Sequence, residues 1–185
     1  LIFVPLIGAI AAVLSSNRRP EWTKLIALVS SVGTAGLSVW MLASFHTSDG
    51  GFQFTSQHAW IREWGIGWHL GVDGISLFLV VLTGLLFPLV IVGIDPHHGH
   101  KRYLAWLLLL EAGVMGSFLS LDLFLFFAFF EIVLVPMYFL IGGWGYDQRI
   151  YAATKFFLYT MLGSAFMLVG IIAPAVLAKN SLGYV

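Results

Sequence analysis

The most constraining feature of this sequence is the stretch from Ile75 to Ile94, which contains no charged side chain. A helix needs about 20 mostly apolar residues to cross the hydrocarbon core of a bilayer, and this stretch meets that length. The pattern predicts an all-α integral membrane protein, a polytopic bundle of about six transmembrane helices. The other five apolar stretches are Leu1–Leu14, Leu25–Phe45, Tyr103–Leu121, Leu123–Ile141 and Tyr151–Leu177. The first of them is short, and we interpret it as a membrane helix without its start, in an N-terminal fragment of a longer protein.

The composition supports lipid as the solvent of this chain. Of the 185 residues 59% are hydrophobic and only 10% are charged, whereas soluble domains carry about a quarter charged residues. The formal net charge is zero, so we expect no nucleic-acid partner. The chain has no cysteine and therefore cannot itself hold an iron–sulfur cluster or a thiolate-bound metal.

The basic residues predict which side of the membrane each connection faces. The connections between helices one and two, three and four, and five and six hold seven of the nine Lys and Arg residues: Arg18, Arg19, Lys24, Lys101, Arg102, Arg149 and Lys155. Only Arg62 and Lys179 fall on the other side. By the positive-inside rule the basic side is cytoplasmic, so the chain is predicted to start outside.

One long connection, His46–Leu70, falls on the predicted outer side. Within it Phe52–Ile61 and Ile66–Val72 are short and rich in aromatic residues, with a glycine-containing turn between them. Such a pattern is typical of a small β-hairpin that caps the bundle. The alternative is an irregular loop with tryptophan side chains at the membrane interface, and the sequence does not decide between the two.

Two acidic residues, Glu111 and Glu131, lie inside predicted membrane helices, where a charge costs about 2.5–3.5 kcal/mol. The very short connection at Ser120–Asp122 makes their helices antiparallel neighbours. Each acid is ten residues from Leu121, or about 15 Å, so both are predicted near the midplane. Either acid can take and release a proton there, or it can hold helices together by hydrogen bonding. We favour proton transfer for Glu131 and leave both roles open for Glu111.

Three further features bear on a proton path. Pro136 follows Glu131 by five residues and cannot donate to the carbonyl of Ile132, which predicts a kink or a freed carbonyl. Lys155, near the start of the sixth helix, either snorkels to the surface or faces inward and feeds protons toward Glu131. We predict the inward orientation. The His97–His100 segment contains three histidines, and we interpret it as a solvated loop, so no metal site is predicted.

Three segments in this order resemble a known family. They are Leu121–Ile141, with Glu131 followed by Ile-Val-Leu-Val-Pro-Met-Tyr, then Tyr151–Thr160, and Leu70–Ser76 before the third helix. The resemblance is to the M-type antiporter-like membrane subunit, chain 4 in mitochondria, of proton-translocating NADH:quinone oxidoreductase, respiratory complex I. It covers essentially the whole chain. Phe130 stands where the family commonly has Trp, a change that keeps an aromatic ring.

The resemblance implies an antiporter-like fold with two inverted repeats. Residues 1–102 would then be helices one to three with the outer loop 46–70, and residues 103–185 the start of the first repeat. It also implies that Glu131 pairs with a lysine on a broken seventh helix and translocates protons.

On the same basis, NADH, FMN, iron–sulfur clusters and quinone belong to the complex, and this chain has no redox centre. The implied partners are other membrane-arm subunits, including other antiporter-like ones, and the lipid bilayer. The implied location is the bacterial cytoplasmic membrane. The alternative is a subunit of a multisubunit cation/proton antiporter or of a membrane-bound hydrogenase, and a purely structural membrane-arm subunit is a third possibility.

Overall fold

A computed structural model describes residues 1–15, 20–46, 51–61, 66–93 and 100–182, and within these ranges the chain forms six helices and one two-stranded sheet. Five of the helices are long and apolar enough to cross a membrane, whereas the first has only 12 residues. The predicted all-α membrane bundle is thus confirmed. In chain order the elements are α1 (Phe3–Leu14), α2 (Pro20–Ala43), β1 (Gln53–Ile61), β2 (Ile66–Val72), α3 (Gly74–Gly93), α4 (His100–Leu119), α5 (Leu123–Trp144) and α6 (Arg149–Leu182).

The helices form where the apolar stretches predict them because a backbone in lipid must satisfy its own hydrogen bonds. Most differences between the predicted and the observed helix bounds lie at the polar ends of the helices. α2 begins at Pro20, a residue suited to the first turn because its missing N–H has no helical acceptor there. α5 continues to Trp144, three residues beyond the predicted end, and α6 begins at Arg149 and runs through Pro174.

At one end of the bundle two lysine side chains bind carbonyls at the C-terminal ends of neighbouring helices. Lys101 Nζ donates to the carbonyl of Ser15 after α1 at 2.6 Å, and Lys24 Nζ donates to the carbonyl of Val92 in α3 at 3.4 Å. Cations are favoured at these helix ends because the last carbonyls carry partial negative charge. We call this the basic end. The contacts confirm, for the described residues, that the first and third connections share one side; Arg18 and Arg19 lie outside those residues.

We predict that the basic end faces the cytoplasm. The chain has no cysteine of its own, so single cysteines report cleanly. Cysteines placed at Arg18, His98 and Asp147 should react with an impermeant maleimide only from the cytoplasmic side. A cysteine at Gly51, before the hairpin, is the matched control and should react only from outside. Reversed labelling of the two sets would overturn the orientation.

The long connection forms the β-hairpin, which decides between the two alternatives left open by the sequence. β1 and β2 are antiparallel, with Gln57 opposite His69 and Gln53 opposite Val72. The register shifts near the start of β1, where Phe54 has a positive φ of 53°, an uncommon conformation for a residue other than glycine. The aromatic ring of Phe54 lies 6.0 Å from that of Trp40, so α2 contacts this irregular part of the strand.

The hairpin is attached to the connection between α4 and α5. The amide of Leu121 donates to the carbonyl of His69 at 2.9 Å, and the amide of Gly67 donates to Asp122 Oδ2 at 3.3 Å. The ring of Trp68 packs edge-on against Phe129 of α5 at 5.7 Å. β2 therefore lies across the end of the α4–α5 pair opposite the basic end, and we call this the hairpin end.

The strand-to-helix turn at Asp73 begins α3 with reciprocal hydrogen bonds. The amide of Ser76 donates to Asp73 Oδ1 at 2.7 Å, and the amide of Asp73 donates to Ser76 Oγ at 3.0 Å. These bonds satisfy helix donors that have no partner within the helix. The Ser76 amide stabilises the ionised carboxyl, so the pKa of Asp73 lies below its ordinary value.

Asp122 both caps α5 and holds the hairpin, which yields a prediction. Its Oδ1 accepts from the amides of Phe124 and Leu125 at 2.8 and 3.1 Å, while Oδ2 accepts from β2. Asp122→Ala removes all three hydrogen bonds, and loss of an N-cap alone typically costs about 1 kcal/mol. We expect faster amide hydrogen exchange in residues 66–72 and in the first turn of α5. Asp147→Ala, at an exposed turn residue, is the control and should leave exchange in both segments unchanged.

Two apolar clusters fill the bundle between its ends. The hairpin-side cluster consists of Ile2, Val72, Val80, Met115, Leu119, Leu125 and Phe129. The basic-side cluster consists of Ala9, Ala27, Ile91, Leu104, Leu107 and Leu108. α4 contributes to both clusters, with Leu108 in one and Met115 in the other. The segment of α4 between these two residues contains Glu111.

Candidate functional site

α4 and α5 are antiparallel neighbours, as the short connection predicts, and side chains of α5 pack directly against the backbone of α4 at two glycines. A Cβ on Gly113 would lie 2.8 Å from Val133 Cγ2, and a Cβ on Gly116 would overlap the ring of Phe129. Glycine is required at both positions because any larger residue would displace a neighbour on α5. Small residues at a helix–helix interface permit this approach in membrane proteins.

The contacts between α4 and α5 also define the relative depths of the two acids. In this register Glu111 lies level with Leu134, which is three residues, or about 5 Å, from Glu131. The separation is about one helical turn. The prediction of two acids at similar depth on adjacent antiparallel helices is confirmed.

Glu111 is completely enclosed within the bundle. Its side chain is 0% exposed, and Ser31 of α2 donates a hydrogen bond to its Oε1 at 3.0 Å. Its second oxygen, Oε2, is buried and has no hydrogen-bond partner among the described residues. The carboxyl therefore faces α2, whereas Gly113 and Gly116 of the same helix face α5.

Glu131 occupies a different environment. Its side chain is partly exposed, and its Oε1 is buried without a hydrogen-bond partner in the described part of the chain. α5 continues as a helix through Pro136, but the proline supplies no N–H for the carbonyl of Ile132. This part of α5 thus contains a buried carboxyl oxygen without a described partner and, one residue later, a backbone carbonyl without its usual helical donor.

α6 packs against α5 and brings a hydroxyl to the depth of Glu131. Gly142 lies against Ala153, and the rings of Tyr138 and Phe157 are 5.6 Å apart. In the resulting antiparallel register the residue level with Glu131 is Ser164. The side chain of Ser164 is 4% exposed, and its Oγ donates to the carbonyl of Met161.

Lys155 does not have the predicted inward orientation within the six helices. Its side chain is exposed, and Nζ lies 5.6 Å above the ring of Tyr151, one turn earlier on α6. In the α5–α6 register Lys155 lies level with Leu140, nine residues or about 14 Å from Glu131. The face of α6 that packs on α5 carries Ala153 and Phe157, so Lys155 faces away from α5, and its inward orientation in the whole subunit stays a prediction.

Sequence reasoning missed Ser31 and Ser164. α2 carries five buried hydroxyl residues, most of them separated by three, four or seven positions, and this spacing indicates a single face. The sequence contains this spacing, but it does not tell which acidic residue the hydroxyl face of α2 contacts. The five residues are Thr23, Ser30, Ser31, Thr34 and Ser38.

No group of three or more His, Cys, Asp or Glu residues that could hold a metal ion occurs in the described ranges. His97 and His98 lie outside those ranges. The site is therefore made of two carboxyls inside helices, with hydroxyls near them. Together with the bundle, this arrangement defines a polytopic helical membrane protein with acidic groups near the middle of its spans.

Comparisons with known proteins identify relatives of this chain. Residues 120–181 match the family described as NADH:quinone oxidoreductase/Mrp antiporter, TM. The chain is 43% identical over 176 residues to NADH-quinone oxidoreductase subunit M of Rickettsia prowazekii, covering 92% of this chain and 36% of the relative. It is 44% identical to subunit M of Rhodobacter capsulatus, covering 98% of this chain, and 42% identical to NADH-ubiquinone oxidoreductase chain 4 of Arabidopsis thaliana, covering 93%. Over almost its whole length the chain is similar to the M-type antiporter-like subunits of NADH:quinone oxidoreductase, and it spans about a third of the length of these relatives.

The same fold occurs in solved structures. A chain of respiratory complex I from Thermus thermophilus with bound NADH superposes with a TM-score of 0.82 at 24% identity, covering 96% of this chain and 36% of that one. A chain of the archaeal membrane-bound sulfane sulfur reductase superposes with a TM-score of 0.78 at 20% identity, covering 99% of this chain and 28% of that one. At these identities the likeness shows the antiporter-like fold.

Proposed function

We propose that this chain is part of a proton-translocating membrane subunit of an NADH:quinone oxidoreductase, and that Glu131 carries the proton. The observation that supports this most directly is the buried oxygen of Glu131, which has no hydrogen-bond partner among the described residues, in the segment that matches the family. A structural carboxyl would be expected to have its hydrogen bonds satisfied. An unsatisfied and partly accessible one is suited to exchange a proton with a water or with a cationic partner.

The proposed mechanism uses the sensitivity of a buried carboxyl to charge. An apolar environment favours the neutral form of a carboxyl in general, while an approaching cation favours the ionised form. Movement of such a cation would therefore load and release one proton. The partly exposed side of Glu131 is where that partner would approach, and the resemblance assigns it to a lysine on a seventh helix.

Lys155 and Glu111 have different places in this proposal. Lys155 lies toward the basic end on the exposed face of α6, so it would pass protons only in contact with a part of the subunit beyond these helices. Glu111 faces away from α5, so we do not propose direct proton exchange between it and Glu131. The test of the proposal is NADH-driven proton uptake by membrane vesicles that contain Glu131 variants.

The proposal extends to the assembly. NADH, FMN, iron–sulfur clusters and quinone would act in other subunits, and this chain would couple to their electron transfer without a redox centre of its own. The exposed apolar faces of α3 and α6 would contact lipid or other membrane-arm subunits. Relatives in Rickettsia and Rhodobacter support a bacterial cytoplasmic membrane as the location.

A second candidate is a subunit of a cation/proton antiporter, because the matching family also includes Mrp antiporters. The two functions differ in their driving force. Vesicles that take up protons on addition of NADH, with inhibition by a quinone-site inhibitor, support the oxidoreductase. Vesicles that exchange protons for an imposed sodium gradient, with no response to NADH, support the antiporter.

A further inference from the structure

We infer that Ser31 is a positioning residue that holds Glu111 as a neutral, proton-bearing carboxylic acid in an occluded site between α2 and α4, separate from Glu131. The contact that carries this inference joins residues 80 positions apart in sequence: Ser31 Oγ donates to Glu111 Oε1 at 3.0 Å. Both side chains are 0% exposed.

The partners of the carboxyl determine its protonation state. A buried carboxylate requires an ion pair or several donors, since burying an uncompensated charge is very unfavourable. Within the described helices the carboxyl of Glu111 receives one neutral donor, and its Oε2 receives none. Because the side chain is completely enclosed, a helix added outside the bundle cannot supply a cation without opening the α2–α4 contact. The neutral acid, with Oε1 as its carbonyl oxygen and the proton on Oε2, leaves no buried charge and only one O–H without an acceptor among the described residues.

The site is closed toward both ends of the bundle. On α4, Leu108 lies one turn toward the basic end and belongs to the basic-side cluster, and Met115 lies one turn toward the hairpin end and belongs to the hairpin-side cluster. Each residue is 0% exposed. The proton on Glu111 is therefore separated from water on both sides by packed apolar side chains.

Ser31 differs from the other buried hydroxyls of α2 in where its hydrogen bond goes. Thr34 donates to the carbonyl of Ser30, and Ser38 donates to the carbonyl of Ala35, both within α2. Ser30 donates to the carbonyl of Val4 in α1. Among these residues Ser31 makes the bond to an ionisable side chain, so removing its hydroxyl affects Glu111 specifically.

Infrared spectroscopy of the full-length protein in its membrane complex tests the inference. Subtracting the Glu111→Gln spectrum from that of the parent should isolate one carbonyl-stretch band of a protonated carboxyl. Ser31→Ala should move that band to higher wavenumber, because a hydrogen bond to the carbonyl oxygen lowers its stretching frequency. Ser31→Thr, which keeps a hydroxyl, should leave the band near its original position.

Ser38→Ala is the matched control, since it removes a buried hydroxyl of the same helix that bonds only to backbone, and the Glu111 band should not move. After transfer to heavy water the band should shift slowly, as expected for an occluded proton. Absence of a protonated band attributable to Glu111, or a band that Ser31→Ala does not move, would overturn the inference. An immediate deuterium shift would overturn the occlusion. The Glu111 band should persist in Glu131→Gln, so failure of the proposed function leaves this readout intact.

Discussion

Replacing Glu131 by Gln should abolish most NADH-driven proton uptake by vesicles containing the assembled complex, whereas Glu131→Asp should retain much of it. The amide of Gln neither takes up nor releases a proton, although it keeps the size and much of the hydrogen-bonding capacity of the carboxyl. Asp keeps the carboxyl on a side chain one methylene shorter. If Glu131 carries a proton, Glu131→Asp should therefore show more proton uptake than Glu131→Gln.

A purely structural role for Glu131 predicts a different order of proton uptake for the two variants. If the carboxyl only holds helices together, Gln should be mild and the shorter Asp should be no better. The matched control is Glu21→Gln, which makes the same chemical change at an exposed residue in the first turn of α2 and should leave uptake unchanged. Native gels establish that each variant assembles. Full proton uptake by an assembled Glu131→Gln complex would contradict the proposed function.

Gly116→Ala should destabilise the full-length protein by about 1–3 kcal/mol, the usual cost of overpacking a close contact. The added methyl group would overlap the ring of Phe129, including the ring carbon nearest its backbone, so a small rotation of the ring does not relieve the clash. Phe129 is itself buried in the hairpin-side cluster and in contact with Trp68. The two helices would have to separate where they hold Glu111 and Glu131 in register.

Thermal unfolding of the purified protein measures this effect as a lower Tm. Gly143→Ala is the control, because a Cβ at that position of α5 meets nothing within 4 Å and Ala is the better helix former. In a Phe129→Ala background, which removes every clashing ring carbon, Gly116→Ala should cost less stability than it does in the parent. Equal Tm values for Gly116→Ala and the parent would show that the close contact does not determine stability.

The membrane bundle and its acids were predictable because they depend on local sequence. Uninterrupted apolar stretches such as Ile75–Ile94 must form helices in lipid, where no water satisfies the backbone. The short connection at Ser120–Asp122 leaves its two helices no option other than an antiparallel pair, and equal spacing from it places Glu111 and Glu131 at similar depth. The resemblance to this family followed from motifs around Glu131, and the comparisons confirm the resemblance.

The sequence left other features undecided because they depend on which faces of the helices meet. The hairpin and an irregular loop were equally consistent with residues 52–72, and packing of β2 on the α4–α5 connection decides for the hairpin. Lys155 was predicted to face inward; α6 meets α5 through Ala153 and Phe157, so within the described helices the lysine faces away from α5.

The two acids show most clearly which features local sequence determines and which depend on how the helices pack. The sequence by itself determined that each carboxyl lies inside a span, because this follows from distance along a helix. Only the tertiary structure decided that Glu111 is enclosed beside Ser31 while Glu131 stays partly accessible. The physical reason is that apolar spans such as these contain little amphipathic pattern to orient them in lipid, so the rotation of each helix is set by close contacts such as Gly116 against Phe129.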